Sequence, residues 1–191
     1  MELLEKAILT KGKVLGGHVL KVGSFLNNQL DVKLLSEMAK DVYSRFKDKG
    51  VNKILTVEAS GIAFAVLVAE KFNCNALFAK KSKTSNVEGD ILSAECYSYT
   101  HKIMNNLIVP KEFLGEGDKV LIIDDFLANG QAVFALKEIV EKSGAELVGA
   151  SIAIEKGFQG GGDRLREEGI DLYSLAVIDE MEEGKITFRK S

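Results

Sequence analysis

The chain has 191 residues, of which 46% are hydrophobic and 28% are charged, and its 25 basic and 28 acidic side chains give a formal net charge of -3. This length fits a single domain with a full hydrophobic core, and the composition excludes collagen-like, disordered and coiled-coil proteins. Because the charge is nearly balanced, the surface as a whole favours neither nucleic acid nor an anionic membrane. Any polyanionic ligand must therefore be held locally.

The apolar stretches are too short to cross a membrane, and the first residues do not have the pattern of a secretory signal. The run at 62–69 (IAFAVLVA) falls well short of the ~20 residues that a spanning helix needs. Cys74 and Cys96 have neither CxxC spacing nor a nearby pair of histidines, which argues against a disulfide framework and a zinc site. We therefore expect a cytosolic protein.

Apolar residues at three- and four-residue steps predict an amphipathic helix over Val32–Phe46, which Gly50 ends. Beyond it, short apolar runs alternate with helical patterns. The further predicted elements are a strand at 52–57, a helix at Gly61–Phe72, a strand at 75–80, a long loop at 82–90, a hairpin of strands at 94–100 and 102–109, a strand at 119–124, a helix at 131–142, a strand at 146–155, a short helix at 164–168 and a strand at 172–178.

Buried strands that are followed by helices need cover on both faces of their sheet. This order therefore predicts the α/β class, with a mostly parallel, doubly wound sheet. The segment up to residue 28 and the tail after 179 stand outside the alternation, and we expect them to form a small lid over one edge of the sheet.

In a doubly wound sheet, ligands bind at the carboxyl ends of the strands. The clearest candidate is the segment 120–132, VLIIDDFLANGQA, in which a buried strand carries Asp124 and Asp125 to the rim of the sheet. Ala128 and Gly130 have small or no side chains in the loop that follows this strand. The N–H groups of the loop and of the start of the next helix can therefore approach an anion closely. The segment therefore predicts that the loop binds a phosphate group and that the adjacent aspartates bind a cation or the hydroxyls of a sugar.

Other phosphate-binding motifs fit this segment poorly. A nucleotide-binding P-loop ends in Gly-Lys-Ser/Thr and a dinucleotide site carries GxGxxG at the start of a helix, and the sequence has neither. A receiver-type phosphoacceptor pocket also pairs acids but usually near its first strand, whereas this pair follows residue 120.

The segment 120–132 resembles the phosphoribosyl-pyrophosphate motif of type I phosphoribosyltransferases. Within that family the chain resembles the bacterial branch that acts on xanthine, through the segments 19–29 (VLKVGSFLNNQ), 57–66 (VEASGIAFAV), 78–81 (FAKK), 96–100 (CYSYT), 154–159 (IEKGFQ) and 182–188 (EEGKITF). The resemblance implies a purine-salvage enzyme that uses Mg2+ and joins xanthine to C1 of phosphoribosyl pyrophosphate, releasing pyrophosphate. It also implies a homodimer and one domain over 1–191, with a core at about 31–154 and a hood from about 1–30 and 155–191 over the purine.

The resemblance further implies roles for residues at matching positions. Asp124 and Asp125 match the pair that holds the ribose hydroxyls, directly or through metal-bound water, so we predict no direct side-chain ligand for the metal. Lys81 matches a positively charged residue near the pyrophosphate that leaves. The phosphate loop comprises Ala128, Asn129, Gly130, Gln131 and Ala132, and the pyrophosphate loop comprises Ala59, Ser60 and Gly61. Ser98 and Tyr99 match a Ser-Tyr pair in a flexible catalytic loop at 82–102, whose closure excludes water.

Lys156 carries only hydrogen-bond donors, so it favours the O6 acceptor of a 6-oxopurine over the amino group of adenine. By resemblance, Leu20 and Asn27 belong to the xanthine-binding lid, Leu20 through apolar contact and Asn27 through a hydrogen bond. Either Phe126 or Phe158 is expected to stack on the base.

The chain also departs from the family pattern. Ala128 stands where hypoxanthine and guanine enzymes commonly carry an aspartate that serves as the base, which leaves the proton acceptor unassigned. Asn129 stands where many relatives have a threonine. The glycines at 160–162 are expected to loosen the loop after Phe158.

Two alternatives stay open on the sequence. One is a hypoxanthine or guanine phosphoribosyltransferase, because the group that reads position 2 of the purine is not visible. The other is a non-catalytic regulator that senses phosphoribosyl pyrophosphate and binds nucleic acid. A regulator would need a basic face or an added helix-turn-helix, and the net charge of -3 and the length give no sign of either.

Overall fold

The computed structural model describes residues 1–16, 19–81, 89–98 and 103–190. In these ranges the helices are α1 (Glu2–Lys11), α2 (Val32–Phe46), α3 (Gly61–Phe72), α4 (Gln131–Ser143) and α5 (Gly161–Glu167). The strands are β1 (Lys13–Leu15), β2 (Val19–Lys21), β3 (Lys53–Val57), β4 (Asn75–Ala79), β5 (Ile91–Ser98), β6 (Ile103–Pro110), β7 (Lys119–Leu127), β8 (Glu146–Lys156), β9 (Leu172–Glu182) and β10 (Lys185–Phe188). A π-helical turn occupies Gly23–Asn27.

The central sheet has the strand order β10-β9-β8-β7-β3-β4 in the part of the chain that the structure describes. The neighbours from β9 through β4 are all parallel, and β10 pairs antiparallel with β9 at the edge. The sheet is therefore mostly parallel, which confirms the predicted α/β class. β5 and β6 form the predicted antiparallel hairpin, and an isolated bridge between Lys80 and Ile108 joins it to the end of β4.

Alternate residues of the central strands face two separate apolar cores, as the two-residue period of a strand requires. Ile54 of β3 packs in the core that also contains the buried faces of α1, α2 and α3. Its neighbour Leu55 packs in the core on the other face, which contains the buried face of α4 and the hairpin. α3, which follows β3, and α4, which follows β7, thus cover opposite faces of the sheet.

Several sequence predictions need correction. The tail after 179, expected in a lid, instead completes β9 and forms the edge strand β10 of the central sheet. The hairpin strand predicted from 94 begins at Ile91. The strand predicted at 119–124 continues to Leu127, because β8 goes on supplying backbone partners up to the pair Leu127–Glu155. The short helix begins at Gly161 instead of Arg164. The expectation that the glycines at 160–162 loosen the loop is wrong for Gly161 and Gly162, which are buried in the first turn of α5.

Both ends of the described chain meet at β9. α1 contacts this strand, and the ammonium of Met1 donates to the carbonyl oxygen of Leu175 in it. β1 and β2 form a small antiparallel sheet, with Leu20 buried in the core beside α1. No helix in the described residues is both long and apolar enough to span a bilayer.

Candidate active site

β3 and β7 pair only at their beginnings and then separate. Their pairing ends at Leu55–Ile122, whereas β3 continues beside β4 to Val57 and β7 continues beside β8 to Leu127. The helices that follow the two strands lie on opposite faces of the sheet. The carboxyl ends of β3 and β7 therefore border a crevice at a switch point of the strand order, where α/β sheets bind ligands.

A cavity of about 510 Å³ opens at this crevice. β7 and the loop after it contribute the largest part of its wall. The residues that line it are Val57, Glu58, Ser60, Lys81, Cys96, Tyr97, Asn105, Leu107 and the continuous segment from Asp124 to Val133. The predicted aspartates, phosphate loop, Ser60 and Lys81 thus share one cavity.

Asp124 and Asp125 are both buried, each with 6% of its surface exposed. Oδ1 of Asp124 accepts a hydrogen bond from the backbone N–H of Asp125 at 2.9 Å. Burial, followed by the negative charge of Asp125, raises the pKa of Asp124 well above its ordinary value, and Lys81 acts weakly in the opposite direction. The site therefore holds a closely spaced carboxyl pair whose negative charge a positive ligand would stabilise.

The loop between β7 and α4 lines the cavity. Ala128, Asn129 and Gly130 form the loop, and Gln131 and Ala132 begin α4. Gly130 has φ 80°, and no side chain caps the helix. The first N–H groups of a helix lack partners within it and carry partial positive charge, so these groups can bind an anion from the cavity.

The opposite wall follows β3. Ser60 and Glu58 line the cavity, whereas Ala59 is exposed outside it, and the Glu58–Ala59 peptide bond is cis. Gly61 begins α3 and is buried. An oxygen of the Glu58 carboxylate accepts a hydrogen bond from the backbone N–H of Lys81 at 2.7 Å, which ties the loop after β3 to the residue that follows β4.

The residues predicted to bind the base lie partly away from this cavity. Lys156 ends β8, and its Nζ atom lies 5.7 Å from the centre of the Phe126 ring, which itself lines the cavity. Phe158 is 42% exposed. Leu20 is buried in the N-terminal core and Asn27 is exposed at the end of the π-helical turn, and neither lines the cavity.

The predicted catalytic loop at 82–102 is described only in part. Residues 82–88 and 99–102, including Tyr99, lie outside the described residues, and Ser98 ends β5. The hairpin contributes four residues to the cavity that the sequence reasoning missed, namely Cys96, Tyr97, Asn105 and Leu107, and Glu58 was missed as well. Burial raises the pKa of the Cys96 thiol.

The sequence could have predicted Glu58 as a cavity residue, because Glu58 directly follows a predicted buried strand.

The donor set suits a cation that brings its own ligands. No group of three or more His, Cys, Asp or Glu residues that could hold a metal is found among the described residues. Asp124 and Asp125 nevertheless provide a buried carboxyl pair in the cavity. Mg2+ prefers oxygen ligands, keeps several waters and binds through one or two carboxylates plus substrate phosphates. The residues present therefore fit Mg2+ that arrives with a phosphorylated substrate.

The fold and the site together define a phosphate-binding α/β enzyme domain, and sequence comparison identifies its family. The family model described as phosphoribosyl transferase domain matches residues 21–168. The chain belongs to this family. It is 50% identical over 188 residues to a xanthine phosphoribosyltransferase of Ruminiclostridium cellulolyticum, a match that covers 98% of this chain and 99% of that protein. It is 51% identical over 189 residues to a xanthine phosphoribosyltransferase of Alkaliphilus metalliredigens, covering 99% of this chain and 94% of that protein.

Solved structures show the same fold at much lower sequence identity. The APRTase of Giardia lamblia, complexed with 9-deazaadenine, superposes with a TM-score of 0.77 at 19% identity, covering 91% of this chain and 96% of that one. The adenine phosphoribosyltransferase of Leishmania tarentolae superposes with a TM-score of 0.76 at 19% identity, covering 95% and 90%. The type I phosphoribosyltransferase fold that the motif at 120–132 implied is confirmed.

Proposed function

We propose that this protein is a xanthine phosphoribosyltransferase of purine salvage. It transfers the 5-phosphoribosyl group of phosphoribosyl pyrophosphate to xanthine and gives xanthosine 5'-monophosphate and pyrophosphate. The observation that carries the proposal is the cavity in which the buried pair Asp124 and Asp125 faces both the phosphate loop and the loop after β3. The near-complete match to xanthine phosphoribosyltransferases supports the choice of base.

The reaction breaks the bond from C1 of the ribose to the pyrophosphate oxygen and forms a bond from C1 to a purine nitrogen, which loses its proton. Positive charge develops on the sugar ring in between. The catalytic pair Asp124 and Asp125 holds the ribose hydroxyls and lies near this charge, so the pair stabilises the transition state more than the ground state. Lys81 places a positive charge where the pyrophosphate leaves.

Backbone N–H groups perform most of the anion binding in this proposal. The loop Ala128–Ala132 binds the 5'-phosphate, and the loop Ala59–Gly61 binds the pyrophosphate, each at the start of a helix. Holding the sugar at both ends fixes C1 against the base, which lowers the entropic part of the barrier. Asp124 and Asp125 would hold Mg2+ through water, and the bound ion would supply positive charge against the leaving pyrophosphate.

On the base side, Lys156 donates to O6 of xanthine, and Phe126 is the aromatic ring that contacts the base, because it lines the cavity beneath Lys156. Leu20 and Asn27 belong to the segment that covers the base. This requires the N-terminal segment to approach the cavity more closely than in the structure described here, in which neither residue lines it.

The proposed division of the chain is one phosphoribosyltransferase domain over 1–191, with a core at about 31–154 and a hood from about 1–30 and 155–191. α1 contacts β9, which with β10 lies in the central sheet, so the two ends of the chain lie together at this edge of the sheet. We further propose a homodimer in the cytoplasm. The two thiols, Cys74 and Cys96, are free, which suits a reducing compartment.

The test is product formation with each base in turn. The protein is incubated with Mg2+, phosphoribosyl pyrophosphate and xanthine, guanine, hypoxanthine or adenine, and the nucleotides are separated by chromatography. The proposal expects xanthosine 5'-monophosphate with the highest kcat/KM. A higher kcat/KM for guanine or hypoxanthine would assign the enzyme to that base instead, and no nucleotide from any base would reject the activity.

A further inference from the structure

We infer that Gly161 and Arg164, at the start of α5, are positioning residues that hold the phosphate loop in its anion-binding conformation. The inference rests on the proposed function, because it assigns a support to the 5'-phosphate site. Neither residue lines the cavity. Both act through the backbone of Ala128–Gly130, which separates them from the ligand.

Gly161 packs directly on the rear of the loop. A Cβ atom at this position would lie 2.6 Å from the carbonyl carbon of Asn129 and 2.7 Å from the backbone nitrogen of Gly130, and it would also overlap the carbonyl oxygen of Ala128. These atoms are backbone and cannot turn aside as a flexible side chain does. The same three residues line the cavity, whereas Gly161 does not. The loop is thus one backbone layer thick between Gly161 and the proposed phosphate.

Arg164 fixes the orientation of a peptide group in that layer. Its Nη2 atom donates a hydrogen bond to the carbonyl oxygen of Asn129. In a planar trans peptide the C=O and the following N–H point in opposite directions. Holding the Asn129 carbonyl towards α5 therefore directs the N–H of Gly130 to the other side, which is the side of the cavity.

α5 is itself attached to β8 through Glu155, so it can support the phosphate loop. Both oxygens of the buried Glu155 accept from Arg166, at 2.9 and 2.7 Å, and Oε2 also accepts from Ser174 at 2.5 Å. Gly162 lies against this carboxylate so closely that a Cβ would overlap Glu155 Oε1. Bidentate pairs of this kind hold their partners in a defined geometry. The start of α5 therefore keeps a fixed distance from β8 and from the loop.

The test measures ligand affinity and turnover in Arg164→Ala and Gly161→Ala. The dissociation constant for ribose 5-phosphate is measured by calorimetry at fixed salt, and KM is measured for phosphoribosyl pyrophosphate and for xanthine. Losing one hydrogen bond in the support is expected to weaken ribose 5-phosphate binding by Arg164→Ala about three- to tenfold. Gly161→Ala is expected to weaken it at least about tenfold, because the loop backbone must move. In both variants KM for phosphoribosyl pyrophosphate rises more than KM for xanthine.

Matched variants separate positioning from charge and from glycine content. Lys137→Ala removes a nearby positive charge from α4, where Lys137 pairs with Glu141, and it should leave affinity unchanged. Gly115→Ala adds a methyl group where a Cβ would meet no neighbour, and it should also leave affinity unchanged. Because the Arg164 side chain lies on the surface, Arg164→Ala carries the test even if Gly161→Ala does not fold.

The outcomes distinguish this inference from the proposed function. One outcome is that the wild type forms xanthosine 5'-monophosphate while Arg164→Ala, and Gly161→Ala if it folds, bind ribose 5-phosphate as tightly as the wild type. In that case the positioning role is rejected and the activity stands. If Lys137→Ala weakens binding as much as Arg164→Ala, Arg164 acts through its charge and the inference is again rejected. If the wild type forms no nucleotide from any base, the proposed function itself fails, and if it forms nucleotide but binds no ribose 5-phosphate, the support of a separate 5'-phosphate site is rejected.

Discussion

The first residue of α3 lies against the carboxylate of Asp124. A Cβ atom on Gly61 would be 3.0 Å from Asp124 Oδ1 and would overlap Oγ1 of the buried Thr56. The amino end of α3, with its partial positive charge, therefore lies close to Asp124. Burial and the charge of Asp125 raise the pKa of this same carboxyl group. In the proposed reaction, folding and catalysis make opposite demands on Asp124, because the fold favours its neutral form and a positive sugar ring would favour its charged form.

Replacing Asp124 by Asn should accordingly lower activity and raise stability. We expect kcat to fall by about 100-fold or more, as when a preorganised electrostatic group is removed from an active site. Because the folded-state pKa is raised, ionisation destabilises the fold above the unfolded pKa of about 4. Asp124→Asn should therefore melt at a higher temperature than the wild type at pH 7, and the difference should vanish as the pH falls to about 4. A lower melting temperature at pH 7 would contradict this account.

Asp125→Asn tests the second member of the pair. It should also reduce kcat strongly, since the two carboxylates act on the same sugar, while the folded fraction in circular dichroism stays unchanged. Near-normal turnover in both Asn variants would remove the pair from the mechanism.

Lys156→Ala should affect use of the base and spare the sugar phosphate. KM for xanthine should rise by about tenfold, as for one charge-assisted hydrogen bond, and calorimetric binding of phosphoribosyl pyrophosphate should stay unchanged. Lys185→Ala, at an exposed position of β10, is the matched control. Burial lowers the pKa of Lys156, so activity should decline at a pH below the ordinary lysine range. An equal loss of affinity for both substrates would show that Lys156 supports the whole site instead of reading the base.

Glu155→Gln should destabilise the protein in a pH-dependent way. Burial raises the pKa of Glu155, but hydrogen bonds from Arg166 and Ser174 more than offset this, so the pKa lies below its ordinary value. The ionised carboxylate therefore adds stability that is present above the unfolded pKa of about 4 and is lost as the pH falls through the lower folded pKa. At pH 7 the variant should lose about 1–3 kcal/mol in the free energy of unfolding. Urea titrations at pH 7 and pH 3 measure this, and an equal loss at both would contradict the ionic origin.

Tyr173→Phe provides a variant in which stability changes and activity does not. The Tyr173 hydroxyl donates to Asp41 at 2.8 Å, and burial followed by this contact raises the pKa of Tyr173 to about 12. The variant should lose about 1 kcal/mol in the free energy of unfolding at pH 7 with kcat/KM unchanged. The wild-type advantage should disappear as the pH rises from about 10 to about 12. If the wild type stays more stable than Tyr173→Phe above pH 12, the stability difference comes from ring packing and not from the hydrogen bond.

The sequence predicted the elements whose pattern is local. α2 and α3 begin and end where the periodicity placed them, and the parallel sheet follows from strands too apolar to have an exposed face. The strand, loop and helix start that make up the proposed phosphate loop were predictable for the same reason, since they are contiguous in 120–132.

Features that depend on contacts between distant segments were not predictable. The extension of β7 depends on pairing with β8, and β10 forms because β9 offers a free edge. The contribution of Tyr97 and Asn105 to the cavity depends on how the hairpin packs. Gly161 and Gly162 illustrate the difficulty most clearly, since glycine signals flexibility in a sequence, whereas both residues are closely packed in the structure, Gly161 against the backbone of Asn129 and Gly162 against Glu155.

The bridge between Lys80 and Ile108 has a mechanical consequence. The two residues exchange reciprocal backbone hydrogen bonds of 3.0 and 2.8 Å, and Lys80 directly precedes Lys81. The hairpin that carries Tyr97 and Asn105 is therefore tied to the backbone beside Lys81, and a displacement of one would displace the other. Exchange of the Ile108 amide hydrogen for deuterium requires this bridge to open, so its rate would report how often the connection is lost.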